Sequence, residues 1–284
     1  MNAKFRLLIL CVCILAMMTM NCECVYCTFC PDCSYCEGED VPQEDENPNE
    51  GGEIDPNPDG NDYVLKFDGS DDVVQIKEQD MGLNSMVAGL TVEAWVYARS
   101  INTGDLVTVL DRTELPIGQN RYMLGFGKEG STATFQVNGS TVNASGIITA
   151  GRWLHLAGVF DGYQLHVYVN GILGNTVQMS ITGPFTIAES PIYIGANPNA
   201  PGEEFRGYID EIRVWKARRS AAQIQQLMNV QLTGGEDNLI AYWRIDSGGG
   251  QTLTDYAGEN DGELGTTDAV DTSDPEWVQI DFPH

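Results

Sequence analysis

The sequence predicts an all-β fold from Tyr63 onward: a sandwich of two antiparallel sheets with one short helix. Apolar runs of strand length recur there between turn residues, and only one segment has apolar residues at helical spacing. Three of the Asx-Gly pairs between the runs are Asn138-Gly139, Asp161-Gly162 and Asn170-Gly171, and such pairs tolerate the positive φ of tight hairpins. Strands without alternating helices exclude a parallel α/β sheet and favour a sandwich or jelly roll.

Residues 1–21 have the layout of a secretory signal. Lys4 and Arg6 precede an uncharged apolar run, Leu7 to Met20, that is too short to cross a bilayer comfortably. No clear cleavage site follows, and Thr19-Met20-Asn21 before Cys22 resembles a degenerate lipoprotein site, so cleavage and lipidation both stay open. The segment predicts a secreted or cell-surface protein without a transmembrane span in its mature form.

Residues 22–36 form a cysteine-rich stretch. Its cysteines are Cys22, Cys24, Cys27, Cys30, Cys33 and Cys36. The C-x-x-C spacing occurs in soft-metal clusters, whereas an exported chain favours disulfides, either in a small knot or between chains. We predict disulfides, with a metal cluster and an unstructured or lipidated remnant as the alternatives.

Residues 37–62 are predicted to be a disordered linker. This segment holds 11 acidic residues and no Lys or Arg, and it has too few apolar residues to offset its ordering entropy. The remaining domain, residues 63–284, has 28 acidic and 13 basic residues. Its acidity excludes nucleic acid and anionic membrane surfaces as partners and suits the hard oxygen ligands of Ca²⁺.

The apolar runs place the individual strands and the helix. The predicted strands are Tyr63 to Phe67, Val73 to Ile76, Thr91 to Tyr97, Leu106 to Leu110, Tyr122 to Phe126, Thr132 to Val137, Trp153 to Phe160, Gln164 to Val169, Ile172 to Gln178, Ile192 to Ile194, Gly207 to Trp215, Leu239 to Ile245 and Trp277 to Ile280. Ser220 offers a hydroxyl N-cap with Gln223 three residues later, and Ile224, Leu227 and Met228 then recur at helical spacing.

Seven stretches in this order resemble the LamG-like jelly-roll family, the concanavalin A-like sandwich of laminin G modules, pentraxins and many lectins. They are LKFDGSDDVVQI (Leu65 to Ile76), GLTVEAWVY (Gly89 to Tyr97), GRWLHLAGVFDG (Gly151 to Gly162), LHVYVNG (Leu165 to Gly171), IYIGANP (Ile192 to Pro198), FRGYIDEIRVWKARRSAAQIQQLM (Phe205 to Met228) and LIAYWRID (Leu239 to Asp246). The resemblance implies a concanavalin A-like jelly roll, but the family's intradomain cysteine pair is absent.

The resemblance also implies a recognition surface where loops meet at one rim, with a Ca²⁺ ion in many members. Two candidate metal groups follow from it. The first comprises Asp68, Asp71, Asp72 and Asp210, and the second comprises Asp111, Asn197 and Glu203 or Glu204. Without a cation, the first group is a tight turn beside a solvated strand end.

A catalytic function is not expected. Retaining glycosidases need two carboxylates facing one cleft, whereas alternation along a strand places Asp210 and Glu211 on opposite faces. No G-x-S-x-G, P-loop or domain cysteine offers a nucleophile, and His155 and His166 are interpreted as structural.

Asn138 and Asn143 begin sequons and are glycosylation candidates in a eukaryotic pathway.

We therefore predict an extracellular, non-catalytic module that binds glycan or glycoprotein through rim loops, with Ca²⁺ as the candidate cofactor. The alternative is a structural or adhesion protein, anchored or crosslinked through its cysteine-rich stretch.

Overall fold

The computed structural model describes residues 63–77, 88–100, 107–112, 122–127, 131–146, 148–179 and 190–280. All of them belong to one compact unit, Gly51–His284. The predicted signal segment, cysteine-rich stretch and acidic linker lie outside the described residues.

The described part of the chain contains sixteen strands and one helix. The elements are β1 (Tyr63–Asp68), β2 (Val74–Ile76), β3 (Leu90–Ala98), β4 (Val107–Arg112), β5 (Tyr122–Phe126), β6 (Ala133–Val137), β7 (Ser140–Ala144), β8 (Trp153–Phe160), β9 (Gln164–Val169), β10 (Ile172–Gln178), β11 (Ile192–Ile194), β12 (Arg206–Trp215), α1 (Ala221–Leu227), β13 (Leu239–Trp243), β14 (Thr252–Leu253), β15 (Gly262–Leu264) and β16 (Glu276–Gln279).

The strands form two antiparallel sheets of eight, which confirms the predicted sandwich. The first sheet has the order β10-β9-β8-β3-β12-β1-β16, with β13 also paired to β12. The second sheet has the order β14-β15-β2-β11-β4-β5-β6-β7. In the first sheet β1 pairs with β16, with Tyr63 opposite Gln279, so the first and last described strands are neighbours.

The core lies between the sheets and follows the period-2 alternation of the strands. In β3, Leu90, Val92, Ala94 and Val96 join the main apolar cluster, while Trp95 and its alternate neighbours face outward. Close packing is visible at Gly158 of β8, where a Cβ atom would lie 2.1 Å from Cδ2 of Phe135 in the other sheet. Only a glycine fits there without displacing the ring.

The predicted helix cap and two of the three predicted Asx-Gly turns are found in the structure; at Asp161-Gly162, between β8 and β9, only Gly162 has a positive φ. Asn138-Gly139 joins β6 to β7 and Asn170-Gly171 joins β9 to β10, and all four residues have positive φ. Ser220 caps α1, since its Oγ accepts from the Gln223 backbone N–H at 3.3 Å and the Gln223 side chain accepts from the Ser220 N–H at 2.9 Å.

The helix covers part of the outer face of the first sheet. Ile224 packs with Ala157 and Val159 of β8. Just beyond the helix, the Met228 carbonyl accepts a hydrogen bond of 2.7 Å from Nε1 of Trp95. The helical segment is therefore fastened to the middle of the sheet by both apolar and polar contacts.

A bulge interrupts β12 at Asp210 and Glu211. The pairing with β3 shifts between Asp210 and Arg213, and Glu211 has a φ of 51°. Both carboxylates are buried, each with 1% of its surface exposed. Asp210 pairs with Trp95 and Arg213 with Glu93, so one residue of β3 is opposite two residues of β12, and Glu211 contacts Arg213. The expected alternation of Asp210 and Glu211 therefore does not hold across the bulge.

Arg213 organises a buried network beside this bulge. Its guanidinium forms an ion pair with Glu211 and donates to the carbonyls of Leu227 and Val230, each at 2.7 Å. The Tyr242 hydroxyl donates to the Glu211 carboxylate at 2.7 Å. The network therefore ties β12 and β13 to the chain that follows α1.

Three short strands were not predicted: β7, β14 and β15. Strand β7 has a polar sequence, STVNA, which lacks the apolar pattern of a strand. Strands β14 and β15 have only two and three residues, too few to show such a pattern. Strand β13 ends at Trp243 rather than Ile245, which has a φ of 60° and so leaves the extended conformation.

Candidate functional site

Three loops meet at one rim of the sandwich and border an open cavity of about 420 Å³. They are the turn between β1 and β2, the loop between β11 and β12, and the loop between β15 and β16. The lining residues are Ser70, Asp71, Val73, Ala196, Asn197, Pro198, Pro201, Glu204, Thr266, Asp271, Thr272 and Ser273. The lining thus combines carboxylates, one amide and hydroxyls with small apolar side chains.

The first loop is a tight turn closed by its own carboxylates. The Asp68 backbone N–H donates to Asp72 Oδ2 at 2.6 Å, and the Ser70 N–H donates to Asp68 Oδ1 at 2.7 Å. Gly69 has a φ of 82°, which favours glycine. Asp68, Asp71 and Asp72 converge so that one oxygen from each lies within 4.8 Å of the others, and together they could hold a metal ion.

The turn concentrates negative charge around Asp72. Burial, together with the negative charges of Asp68 and Asp71, raises the pKa of Asp72 to about 6, although the Asp68 N–H opposes the shift. Two carboxylates are exposed and Asp72 is largely buried. The charges of Asp68 and Asp71 are a smaller cause of this shift than burial, and a cation at the turn would offset them.

Asp210, which was predicted to join this turn, lies elsewhere. Asp68 is opposite Arg206 in the pairing of β1 with β12, and Asp210 is four residues farther along β12. At the usual rise of a strand this is about 13 Å. Burial and the neighbouring Glu211 raise the pKa of Asp210 well above its ordinary value.

The second predicted metal group is only partly brought together. Asn197 donates from Nδ2 to Asp111 Oδ2 at 2.6 Å, and both residues are buried. Glu203 instead lies beside Thr108, whose backbone N–H donates to the Glu203 carbonyl at 2.8 Å. Of this group, only Asn197 and Glu204 line the cavity. Members of the two predicted groups, Asp71, Asn197 and Glu204, therefore share one cavity.

The third loop was not predicted from the sequence. Backbone hydrogen bonds from Gly265 N–H to the Val73 carbonyl and from Val73 N–H to the Ser273 carbonyl fasten it to the first loop. Asp271 accepts from the Ser273 side chain and backbone, and these hydrogen bonds lower its pKa. The segment TTDAVDTSD has the Ser, Thr and Asp composition of side-chain-stabilised turns, the one local signal that was available.

The remaining predicted residues lie away from this cavity or outside the described residues. Asn138 is half-buried in its turn and Asn143 is exposed on β7. His155 lies 3.4 Å from Glu93 in the interior, where burial lowers the pKa of His155. His166 contacts Asp161 at 3.2 Å. The six cysteines of residues 22–36 are outside the described residues.

No helix within the described ranges has the length and apolar character needed to span a membrane.

Known proteins with a similar sequence were found over part of the chain. Residues 68–225 match the family model Laminin_G_3, described as the concanavalin A-like lectin/glucanases superfamily. Human pappalysin-1 is 29% identical over 86 residues, which make up 30% of this chain and 5% of that protein. Mouse pappalysin-1 is 28% identical over 86 residues and is likewise covered over 5% of its length. The chain thus matches a small part of these curated relatives.

Two solved structures are also similar. One is a protein of Bacteroides ovatus ATCC 8483 described as a candidate carbohydrate-binding protein, with 19% identity and a TM-score of 0.62. That match covers 78% of this chain and 61% of the other. The other is a heptameric SAP-like pentraxin from Limulus polyphemus, with 20% identity, a TM-score of 0.47, and coverage of 59% of this chain and 82% of the pentraxin.

Proposed function

Because the chain belongs to the Laminin_G_3 family of the concanavalin A-like lectin/glucanases superfamily, we propose that it is an extracellular, non-catalytic module that binds glycans in the rim cavity. The cavity between the three loops carries this proposal. The similarity to a candidate carbohydrate-binding protein supports it, as does the signal-like N-terminal segment. Anchoring or crosslinking through residues 22–36 remains a separate prediction.

The lining has the chemistry that a sugar requires. Asp71, Glu204 and Asp271 supply oxygen acceptors for hydroxyl groups, and Val73 and Pro198 supply apolar surface for C–H groups. Because the charged lining residues are all acidic, an anionic sugar would be repelled. We therefore expect neutral glycans to be the ligands.

Removing one carboxylate from the cavity should weaken binding. For Asp71→Asn or Glu204→Gln we expect roughly a tenfold or greater loss of affinity, since a hydrogen bond to a charged group contributes about 1.5–3 kcal/mol. A neutral-glycan array should identify the ligand, and calorimetry on the full exported chain should measure the loss.

Asp268→Asn is the matched control, because Asp268 is exposed on the third loop but does not line the cavity. Equal losses in the control and cavity variants would place the ligand elsewhere. Recovery of cleaved oligosaccharide after incubation with the wild-type chain would contradict the non-catalytic part of the proposal.

Calcium at the Asp68–Asp72 turn is the second part of the proposal, and the convergence of the three carboxylates supports it. Ca²⁺ accepts six to eight oxygen ligands in flexible geometry, which suits an exposed turn better than the strict octahedron of Mg²⁺. At a hundredfold excess over its dissociation constant, Ca²⁺ should stabilise the fold by about 2.7 kcal/mol. The melting temperature should rise by roughly 5–11 °C relative to EDTA.

The calcium response should depend on pH because the Asp72 proton competes with the cation. With a pKa of about 6, Asp72 is ionised at pH 7.5 and largely protonated at pH 5. The raised pKa also means that the folded state binds the proton more tightly than the unfolded state, so without metal this group favours folding below pH 6. The shift between Ca²⁺ and EDTA should therefore shrink from pH 7.5 to pH 5.

Melting curves of the wild type and Asp72→Asn, with Ca²⁺, Mg²⁺ and EDTA, measure this. The variant should lose most of the calcium response and, without metal, be as stable as the wild type at pH 7.5 or slightly more so. If millimolar Ca²⁺ leaves the wild-type curve where EDTA leaves it at pH 7.5, the turn holds no calcium.

A further inference from the structure

A row of aromatic side chains lies on the outer face of the first sheet, beyond the part that α1 covers. Tyr97 of β3 is directly opposite Trp153 of β8 on one side and Tyr208 of β12 on the other. The centroid of the Tyr97 ring lies 5.8 Å from the centroid of Trp153 and 5.5 Å from the centroid of the Tyr208 ring. Trp153 is buried, with 7% of its surface exposed, and packs in a cluster with Trp95, whereas Tyr97 and Tyr208 remain partly exposed above it.

Three exposed arginines border this row at the ends of the same strands. The backbone N–H of Arg99 donates to the Arg206 carbonyl at 3.0 Å, and Arg152 immediately precedes β8. The Arg99 guanidinium lies 4.9 Å from the centre of the Tyr208 ring and donates to the Tyr208 hydroxyl. We call Tyr97, Tyr208, Arg99, Arg152 and Arg206 the basic aromatic surface.

These arginines are distinctive because the domain is strongly acidic. Among the described residues, no carboxylate forms an ion pair with Arg99, Arg152 or Arg206, although the domain has 28 acidic and 13 basic residues. Asp68 lies across from Arg206 in the sheet, and the nearby Lys66 is paired with Glu276. The positive charge beside the tyrosines therefore comes from the arginines, and the exposed Asp68 lies at the Arg206 end.

We propose that the basic aromatic surface binds an acidic glycan, one whose sugar rings carry carboxylates. The guanidinium fork of arginine matches the planar geometry of a carboxylate, and the tyrosine rings offer apolar faces to the C–H groups of a sugar. The two partly exposed tyrosine rings lie on neighbouring strands, about 5 Å apart, beside the arginines. This selectivity is opposite to that of the rim cavity, whose charged residues are acidic.

The position of the surface argues against an acidic peptide as its occupant. Peptides commonly add a strand to an open sheet edge or place a helix in a groove. The row instead crosses β8, β3 and β12, whose strands have neighbours on both sides within the first sheet. An extended peptide would find no free backbone edge there, whereas a sugar needs only the side chains.

Calorimetry with the full exported chain tests the proposal, using a galacturonic acid trisaccharide and the corresponding neutral galactose trisaccharide. We expect the acidic trisaccharide to bind and its affinity to fall roughly tenfold or more in Arg99→Gln, since a charge-assisted hydrogen bond is lost. Tyr208→Leu should also weaken binding by removing the ring. Arg218→Gln, which removes an exposed arginine elsewhere, should bind like the wild type.

Several outcomes would overturn the proposal. Equal losses in Arg99→Gln and Arg218→Gln would indicate non-specific attraction to positive charge. Equal binding of a polyglutamate peptide would indicate an acidic peptide site, and stronger binding of the neutral trisaccharide at this surface would exclude the role of the arginines. A loss in Asp71→Asn, with Arg99→Gln unaffected, would place the acidic sugar in the rim cavity, so this surface and the proposed function can fail separately.

Discussion

Replacing Arg213 by methionine is expected to lower the melting temperature by roughly 6–20 °C. Arg213 is fully buried, and its loss leaves the Glu211 carboxylate buried without its cation. Breaking one partner of a buried ion pair costs about 3–5 kcal/mol, and each kcal/mol is worth about 2–4 °C in a domain of this size. The carbonyls of Leu227 and Val230 lose their donor as well. Thermal unfolding followed by circular dichroism measures the change.

Arg244→Met is the matched control. Arg244 pairs with Asp246 at 2.7 Å, but its side chain keeps 23% of its surface exposed, and solvent weakens such a pair. We expect a loss of about 1 kcal/mol or less there. The double variant Glu211→Gln with Arg213→Met should recover part of the loss, because no buried charge is left unpaired. Equal destabilisation by Arg213→Met and Arg244→Met would show that the network contributes little to stability.

Replacing Gly158 by valine is expected to lower the melting temperature by roughly 6–12 °C. The new Cβ would lie 2.1 Å from Cδ2 of Phe135, so the ring or the facing sheet must shift. Overpacking of this kind costs about 3 kcal/mol, the upper end of its usual range. Urea unfolding should show an earlier midpoint with little change in slope.

A double-mutant cycle with Phe135→Leu tests the cause of that loss. If the clash is responsible, the double variant should be destabilised by less than the sum of the single variants. Gly249→Ala is the control, since a Cβ at Gly249 meets nothing within 4 Å. Additive losses at Gly158 and Phe135 would assign the destabilisation to the backbone of β8 rather than to the ring.

The sequence predicted those parts of the fold that depend on local signals. Asn138-Gly139 and Asn170-Gly171 encode their turns because Asn and Gly tolerate positive φ. Ser220 and Gln223 encode the start of α1 through side-chain to backbone hydrogen bonds between near neighbours. Such signals act over a few residues and can therefore be recognised without the tertiary structure.

The parts that the sequence could not predict depend on partners far along the chain. Asp210 was expected near Asp68, but the register of β1 on β12, which no local pattern specifies, separates them. The loop that completes the rim cavity is placed by hydrogen bonds between Val73 and residues 265 and 273. The bulge at Glu211 likewise depends on the partners of β12 rather than on its own apolar pattern.

The pairing of β1 with β16 determines how the domain responds to mechanical force. Tyr63 begins β1 opposite Gln279 at the end of β16, so the chain enters and leaves the domain at neighbouring points. A pull between these points acts across the two strands and loads their hydrogen bonds one at a time, starting at Tyr63. A domain tethered at both ends would therefore open by unzipping this pair at low force, whereas one held at a single end would transmit none of the load through its sheets.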